Sequence, residues 1–261
     1  SVASRGLGDV YKRQPLWSPG GERGLYKSTD GGENWKKVLG GGKWTGVTDI
    51  HMDPRNPDRI YAATWQRHRT VAALMGGGPE SGLHRSEDGG ETWTELKSGL
   101  PNYAGKIGFT LSPQKPDVLY ASIELEKRNG AVYKSEDRGS SWKKMSDLSL
   151  GYGTGPHYYQ ELFASPHKFD RLYLMNVRIL TSEDGGKTFV ELTERSKHSD
   201  NHAIAFREDD PNYLLVGTDA GIYASFDLAK TWKYHKNLPI TQFYKVAVNN
   251  AYPFYHIFGG T

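Results

Sequence analysis

The sequence predicts an all-β fold, a propeller of four-stranded antiparallel blades. Three observations lead there. A turn motif recurs five times, a second turn interlocks with it, and short β-prone strands flank both. The motif is Ser-x-Asp-x-Gly-x-x-Trp. It reads Ser-Thr-Asp-Gly-Gly-Glu-Asn-Trp at 28–35, Ser-Glu-Asp-Gly-Gly-Glu-Thr-Trp at 86–93 and Ser-Glu-Asp-Arg-Gly-Ser-Ser-Trp at 135–142. It returns as Ser-Glu-Asp-Gly-Gly-Lys-Thr-Phe at 182–189 and, decayed, as Ser-Phe-Asp-Leu-Ala-Lys-Thr-Trp at 225–232. Steps of 43–58 residues between copies fall in the range of propeller blades.

Each copy lies between two short strands, such as Gly-Leu-Tyr-Lys before Ser28 and Trp-Lys-Lys-Val from Trp35. The motif is therefore a hairpin loop. Its acids (Asp30, Asp88, Asp137, Asp184, Asp227) can accept backbone N–H bonds two residues on. Its glycines supply positive φ. Its serines (Ser28, Ser86, Ser135, Ser182, Ser225) are placed to bond within the loop, and Trp35, Trp93, Trp142, Phe189 and Trp232 bring a large ring to pin the hairpin onto its sheet. Every residue type has a local structural use, which outranks a catalytic role for an acid that recurs once per repeat. Calcium is rejected, because the loop lacks the further oxygen ligands and terminal bidentate Glu of an EF-hand loop.

The second repeat is a Pro/Asp-rich turn followed by an apolar strand. Examples are Asp-Pro-Arg-Asn-Pro-Asp-Arg-Ile-Tyr-Ala-Ala from Asp53 and Ser-Pro-Gln-Lys-Pro-Asp-Val-Leu-Tyr-Ala-Ser from Ser112. Related stretches begin at Ser165 and Glu208. Each unit then runs strand A, Pro/Asp turn, strand B, variable loop, strand C, motif loop, strand D. No unit buries both faces alone; stacking supplies the core. The expected units lie near 24–39, 44–97, 104–146, 157–193, 201–236 and 243–261. The first has only strands C and D and the last only A and B.

With these segments the chain resembles an Asp-box (bacterial neuraminidase repeat) β-propeller. Within that group it is most similar to bacterial proteins related to the sortilin N-terminal domain, often labelled glycosyl hydrolase from the motif alone. The resemblance runs from about residue 15 to 261. It includes Trp-Gln-Arg-His-Arg at 65–69, Gly-Gly-Pro-Glu-Ser-Gly-Leu at 77–83 and His-Ser-Asp-Asn-His-Ala at 198–203. Asp boxes also occur in sialidases, xyloglucanases and photosystem assembly factors, so the motif specifies fold better than function. The two half units could pair to close a five-blade ring, but resembling propellers have six or more blades, which implies instead an arc of about five blade equivalents with the remainder of the propeller missing. They are mostly secreted or periplasmic, which implies export.

At 261 residues with 36% hydrophobic content the chain can bury a sizeable core. No run approaches a membrane span. The net charge of +3, from 33 basic and 30 acidic residues, does not suggest a nucleic-acid or membrane surface. No Cys is present, which excludes disulfides and thiolate metal sites. No cofactor is indicated. Residues 1–14 fit neither the repeat nor a signal peptide and are expected to be a foreign, disordered leader.

In a propeller the A–B and C–D turns share one face, and the D–A and B–C loops share the other. Function is expected on that second, irregular face, formed by 40–49, 64–82, 124–130, 148–160, 194–202 and 236–244. Trp65, Arg67, His68 and Arg69 could clamp a carboxylate or phosphate, or pack their own loop. The Gly-rich stretch 76–82 is no P-loop, lacking the Gly-Lys-Ser/Thr ending. His198, Asp200 and His202 would project from one side of an extended strand, either toward a metal, of which two of the three could be ligands, or into structural hydrogen bonds. His157, Tyr158, Tyr159 and Gln160 stand one blade earlier, where aromatics could stack on a sugar or peptide. Asp49, Glu124 and Glu126 add carboxylates; Asp49, Glu124 and Asp200 are the catalytic candidates for a glycoside hydrolase. No sialidase set of Arg triad, Tyr and Glu assembles. The leading expectation is a non-catalytic module that binds a peptide, protein or glycan on the irregular face. A hydrolase is the first alternative and a metal-assisted site at His198, Asp200 and His202 the second.

Overall fold

A computed structural model describes residues 18–126, 129–149, 160–237, 245–249, 251–254 and 256–260. The leader 1–14 lies outside these residues. In chain order the strands are β1 (Leu25–Lys27), β2 (Lys36–Leu39), β3 (Thr45–Asp53), β4 (Asn56–Gln66), β5 (His68–Arg69), β6 (Leu74–Met75), β7 (Gly82–Ser86) and β8 (Thr94–Leu96). Next come β9 (Ile107–Leu111), β10 (Leu119–Glu124), β11 (Asn129–Ser135), β12 (Lys143–Ser149), β13 (Leu162–Ala164), β14 (Leu172–Leu174), β15 (Leu180–Ser182) and β16 (Val190–Glu191). The last are β17 (Asn201–Arg207), β18 (Asp210–Thr218), β19 (Gly221–Ser225), β20 (Lys233–Tyr234), β21 (Lys245–Val248) and β22 (Ile257–Gly260).

Four antiparallel sheets have the order of successive strands: β3-β4-β7-β8, β9 to β12, β13 to β16 and β17 to β20. We call them blades I to IV. The pairs β1-β2 and β21-β22 form two-stranded sheets, half a blade each. A further small hairpin, β5-β6, rises inside the connection between β4 and β7. The sequence reading expects an irregular loop there; β4 instead continues to Gln66, and the chain folds back on itself before blade I resumes.

Alternation along the strands stacks the blades. On β4, Ile60 and Ala62 point one way and Tyr61 and Ala63 the other. Ala62 joins Leu25 and Val47 in the core against β1-β2. Tyr61 and Ala63 meet Ile107, Phe109 and Leu119 of blade II. Tyr120 turns to the opposite side of blade II and packs with Leu162, Leu172 and Leu174 of blade III. Tyr173 and Met175 face Ile204, Leu214 and Val216 of blade IV. β9 is buried along its whole length, lying between β3 and β13. The first strands of the blades are thus the ones that converge.

The recurring loops have one hydrogen-bond scheme. Ser135 Oγ donates to Asp137 Oδ1 at 2.8 Å and accepts Gly139 N–H at 2.8 Å. Asp137 in turn accepts Ser141 N–H at 2.8 Å and Ser141 Oγ at 2.6 Å. The same contacts recur at Ser86/Asp88, Ser182/Asp184 and Ser225/Asp227, and at Asp30, whose hydroxyl donor is replaced by the Asn34 amide. The fourth and fifth positions have positive φ in every copy, including Arg138 (61°), Leu228 (58°) and Ala229 (69°), which explains the Gly-Gly preference. The tryptophans also close the loop by their N–H: Trp35, Trp93 and Trp142 donate to Gly32, Gly90 and Gly139 carbonyls. Trp142 is 6% exposed but Trp35 is 40% exposed, so the ring is a core element only where a neighbouring blade covers it. Trp232 reaches across to the Thr193 carbonyl of blade III at 2.7 Å.

Candidate functional site

The two turn classes lie side by side. The carbonyls of Asp58, Asp117, Asp170 and Asn212, in the A–B turns, accept N–H bonds from Gly89, Arg138, Gly185 and Leu228 of the recurring loops at 2.8–2.9 Å. Their acids are strongly held as carboxylates. Asp30 and Asp88 are kept well below the usual range, chiefly by hydrogen bonds from Asn34 N–H and the Thr92 side chain respectively. The Thr231 side chain and N–H bring Asp227 down to about 2. Such acids are poor proton donors at neutral pH.

On the opposite face, loop 76–82 closes over the junction of blades I and II. Gly78 N–H donates to Ala104 O at 3.1 Å. A side chain at Gly77 would collide with the Ala104 and Gly105 backbone, so close packing accounts for the glycine. Trp65 ends up 6% exposed, its indole N–H donating to Gly76 O at 2.7 Å. Arg67 stands over the Trp65 ring at 4.7 Å. His68 lies against Trp44 with ring centroids 3.8 Å apart, and Arg69, beside it in β5, is exposed. The Trp65–Arg69 segment is thus an aromatic–cationic stack around a buried tryptophan.

Glu124 ends β10 beside this loop. Its Oε2 accepts Lys106 N–H at 3.2 Å, and its backbone pairs with Gly105 and Lys106. A Cβ at Gly105 would run into its carboxyl. Burial pushes the carboxyl up to about 7, against the opposing pull of the Lys106 N–H and charge. Glu126 follows at the described edge of that loop.

The other candidate acids have local partners. Asp49, on β3 beside a bulge, accepts Ile50 N–H at 2.9 Å and lies 3.5 Å from His51 Nε2. Asp200 accepts Ser199 Oγ at 2.8 Å. Asp49, Glu124 and Asp200 stand on blades I, II and the entry to IV, each in its own setting.

The His198–Asp200–His202 run differs from the extended geometry expected of it. Asp200 has φ 60°, and β17 begins only at Asn201. The bend leaves His198 Nδ1 3.9 Å from Asp200 Oδ2 and turns His202 toward Asp219. His198 Nδ1 meets Ser199 O at 2.7 Å, and His202 Nε2 meets Asp219 Oδ1 at 2.6 Å. Among the described residues no group of three or more His, Cys, Asp or Glu is placed to hold a metal ion. His157, Tyr158 and Tyr159 lie outside the described residues.

What the sequence reading missed is the polar network beneath that run. Asn201 is fully buried and donates to Asn176 O, Val177 O and Glu194 Oε1 at 2.8–3.1 Å. Lys197 and Glu194 form a 2.9 Å ion pair with both side chains at 0% exposure. The only sequence signal was the polar stretch itself; nothing in it marks which members are buried.

A family model described as sortilin, neurotensin receptor 3 (Sortilin-Vps10) matches residues 23–152, just short of half the chain. The chain is a sortilin-like Asp-box propeller. The oligoxyloglucan-reducing end-specific xyloglucanase of Emericella nidulans is 25% identical to this propeller over 223 residues, which cover 78% of this chain and 25% of that protein. The propeller therefore spans about a quarter of the length of this curated relative. Among solved structures, a GH74 enzyme of Niastella koreensis aligns with a TM-score of 0.56 at 18% identity, over 83% of this chain and 34% of the other. An ancestral GH74 enzyme aligns at 0.62 and 17%, over 90% and 32%. At these identities the structures speak for the fold alone. Among the described residues no helix is long and apolar enough to cross a membrane.

Proposed function

We propose that this chain is the glycan-binding part of a BNR-type glycoside hydrolase, taking a β-glucan of the xyloglucan class across the irregular face. Glu124 would be its proton-donating carboxyl. The observation that carries the reading is Glu124 itself. It closes β10 on that face beside loop 76–82, and burial pushes its carboxyl up to about 7, where an acid can hold a proton and still release it. The xyloglucanase name of the relative from Emericella nidulans supplies the substrate class. Export of the whole protein fits this reading, since such a polymer lies outside the cell.

A second reading is a non-catalytic module that binds a glycan, peptide or protein on the same face. The local engagement of Asp49 and Asp200 favours it, because hydrolysis by two carboxylates needs a second acid across the scissile bond. Titration calorimetry and reducing-end release with xyloglucan oligosaccharides separate the two. Binding with turnover that Glu124→Gln abolishes supports hydrolysis. Binding without turnover supports the module. A chain that binds no xyloglucan oligosaccharide overturns the glycan reading.

A further inference from the structure

Where blades II and III meet on the irregular face, two consecutive residues carry three buried polar atoms with no partner. Gln160 is 1% exposed, and neither its amide nitrogen nor its amide oxygen has a hydrogen-bond partner. Glu161 Oε2 is buried and likewise unsatisfied. The backbone there is fixed: Gln160 N–H donates to Met175 O at 3.0 Å, and Met175 N–H to Glu161 O at 2.9 Å. The Gln160 carbonyl occupies the space that a Cβ on Gly108 of β9 would fill. Gln160 also sits at φ 89°, outside the regions comfortable for a side-chain-bearing residue.

Each unsatisfied buried polar atom is a sizeable cost, and such a group calls for a reason. A residue needed only for packing here would be Leu or Met. The neighbours define what could satisfy it. Lys106, immediately before β9 and itself 8% exposed, holds Glu161 Oε1 at 2.8 Å. Its N–H meets the Glu124 carboxyl at 3.2 Å. The Lys106 ammonium is already matched by the Glu161 carboxylate, so the site has no cation to spare for an anion. What is offered is one NH2 donor, one amide oxygen and one carboxylate oxygen. Neighbouring hydroxyl groups complement that set, since each can donate to one oxygen and accept from the NH2.

We infer that Gln160 and Glu161 form a subsite that takes a pair of adjacent hydroxyls of one glycosyl unit, with Lys106 holding Glu161 in place. This rests on the proposed glycan reading and places one sugar between blades II and III, next to Glu124. The test uses the whole chain and xyloglucan oligosaccharides, comparing wild type with Gln160→Met and Glu161→Gln. Gln160→Met removes both amide atoms at similar volume. It is expected to weaken binding about tenfold or more, the loss of one or two good hydrogen bonds, while melting at or above the wild-type temperature. Glu161→Gln is expected to weaken binding in the same direction. A glutamine side-chain NH2 resonance, identified by its absence in Gln160→Met, is expected to move on adding oligosaccharide.

Unchanged affinity in Gln160→Met overturns the subsite and leaves the glycan reading standing. A Gln160→Met chain that melts below wild type would mean that the amide is already satisfied in the free protein, and also overturns the subsite. A wild type that binds no oligosaccharide overturns both.

Discussion

Glu124 couples the stability of this chain to pH, and its surroundings fix the sign. The folded-state carboxyl is pushed up from 4.5 to about 7 by burial. Between those values the folded chain holds a proton that the unfolded chain has released. Stability from this site is therefore full below about pH 4.5 and is lost as pH rises through about 7. At about 1.4 kcal/mol per pH unit of separation, and with a discount for the water that still reaches a half-buried group, the loss is about 2–3 kcal/mol. Glu124→Gln keeps the shape and an oxygen for Lys106 N–H but never ionises. Urea denaturation of both proteins at pH 4.5, 6, 7 and 8 gives the comparison, because all other titrating groups cancel in the difference. The curves are expected to converge at pH 4.5, with the variant the more stable by about 2–3 kcal/mol at pH 8. Parallel curves across this range would refute the argument that burial governs this carboxyl.

Two further substitutions have signs set by local geometry. Arg138→Gly is expected to stabilise by about 0.5–1 kcal/mol in the same denaturation assay. It relieves a φ of 61° and gives up only an exposed 3.9 Å pairing with Asp117. Lys197→Met is expected to destabilise by about 3–5 kcal/mol, because it strands the Glu194 carboxylate, 0% exposed, without its 2.9 Å partner. A loss under 1 kcal/mol would show that Glu194 is satisfied by Arg178 and Asn201 alone.

The blade plan was legible because its determinants are local. A loop whose fourth and fifth residues need positive φ announces itself as Gly-Gly, and a strand covered on both sides, such as Ile107–Leu111, announces itself as an unbroken apolar run. The site was less legible because its determinants are not local. Lys106 and Glu161 meet across two blades, and no spacing rule connects positions that far apart. The period of an extended strand suggested that His198, Asp200 and His202 share a side; one backbone angle at Asp200 undoes it. Trp65 stands beside Arg67 and Arg69 in sequence, yet its own N–H is spent on Gly76 O, a partner that no local pattern marks. The β5-β6 hairpin was invisible because two-residue strands carry no periodicity.

The ties between successive blades form a sequence of nearest-neighbour links. Arg55 reaches Asp117 at 2.5 Å, Arg85 the Arg138 carbonyl at 2.6 Å, Lys134 Asp170 at 3.0 Å, and His167 the Arg207 carbonyl at 2.6 Å. Cohesion in such a molecule is additive along the arc, like coupled spins in a row, rather than pooled in one centre. Damage at one junction is then felt mainly by the two sheets that share it. Amide exchange would slow toward blades II and III, which have a four-stranded blade on either side.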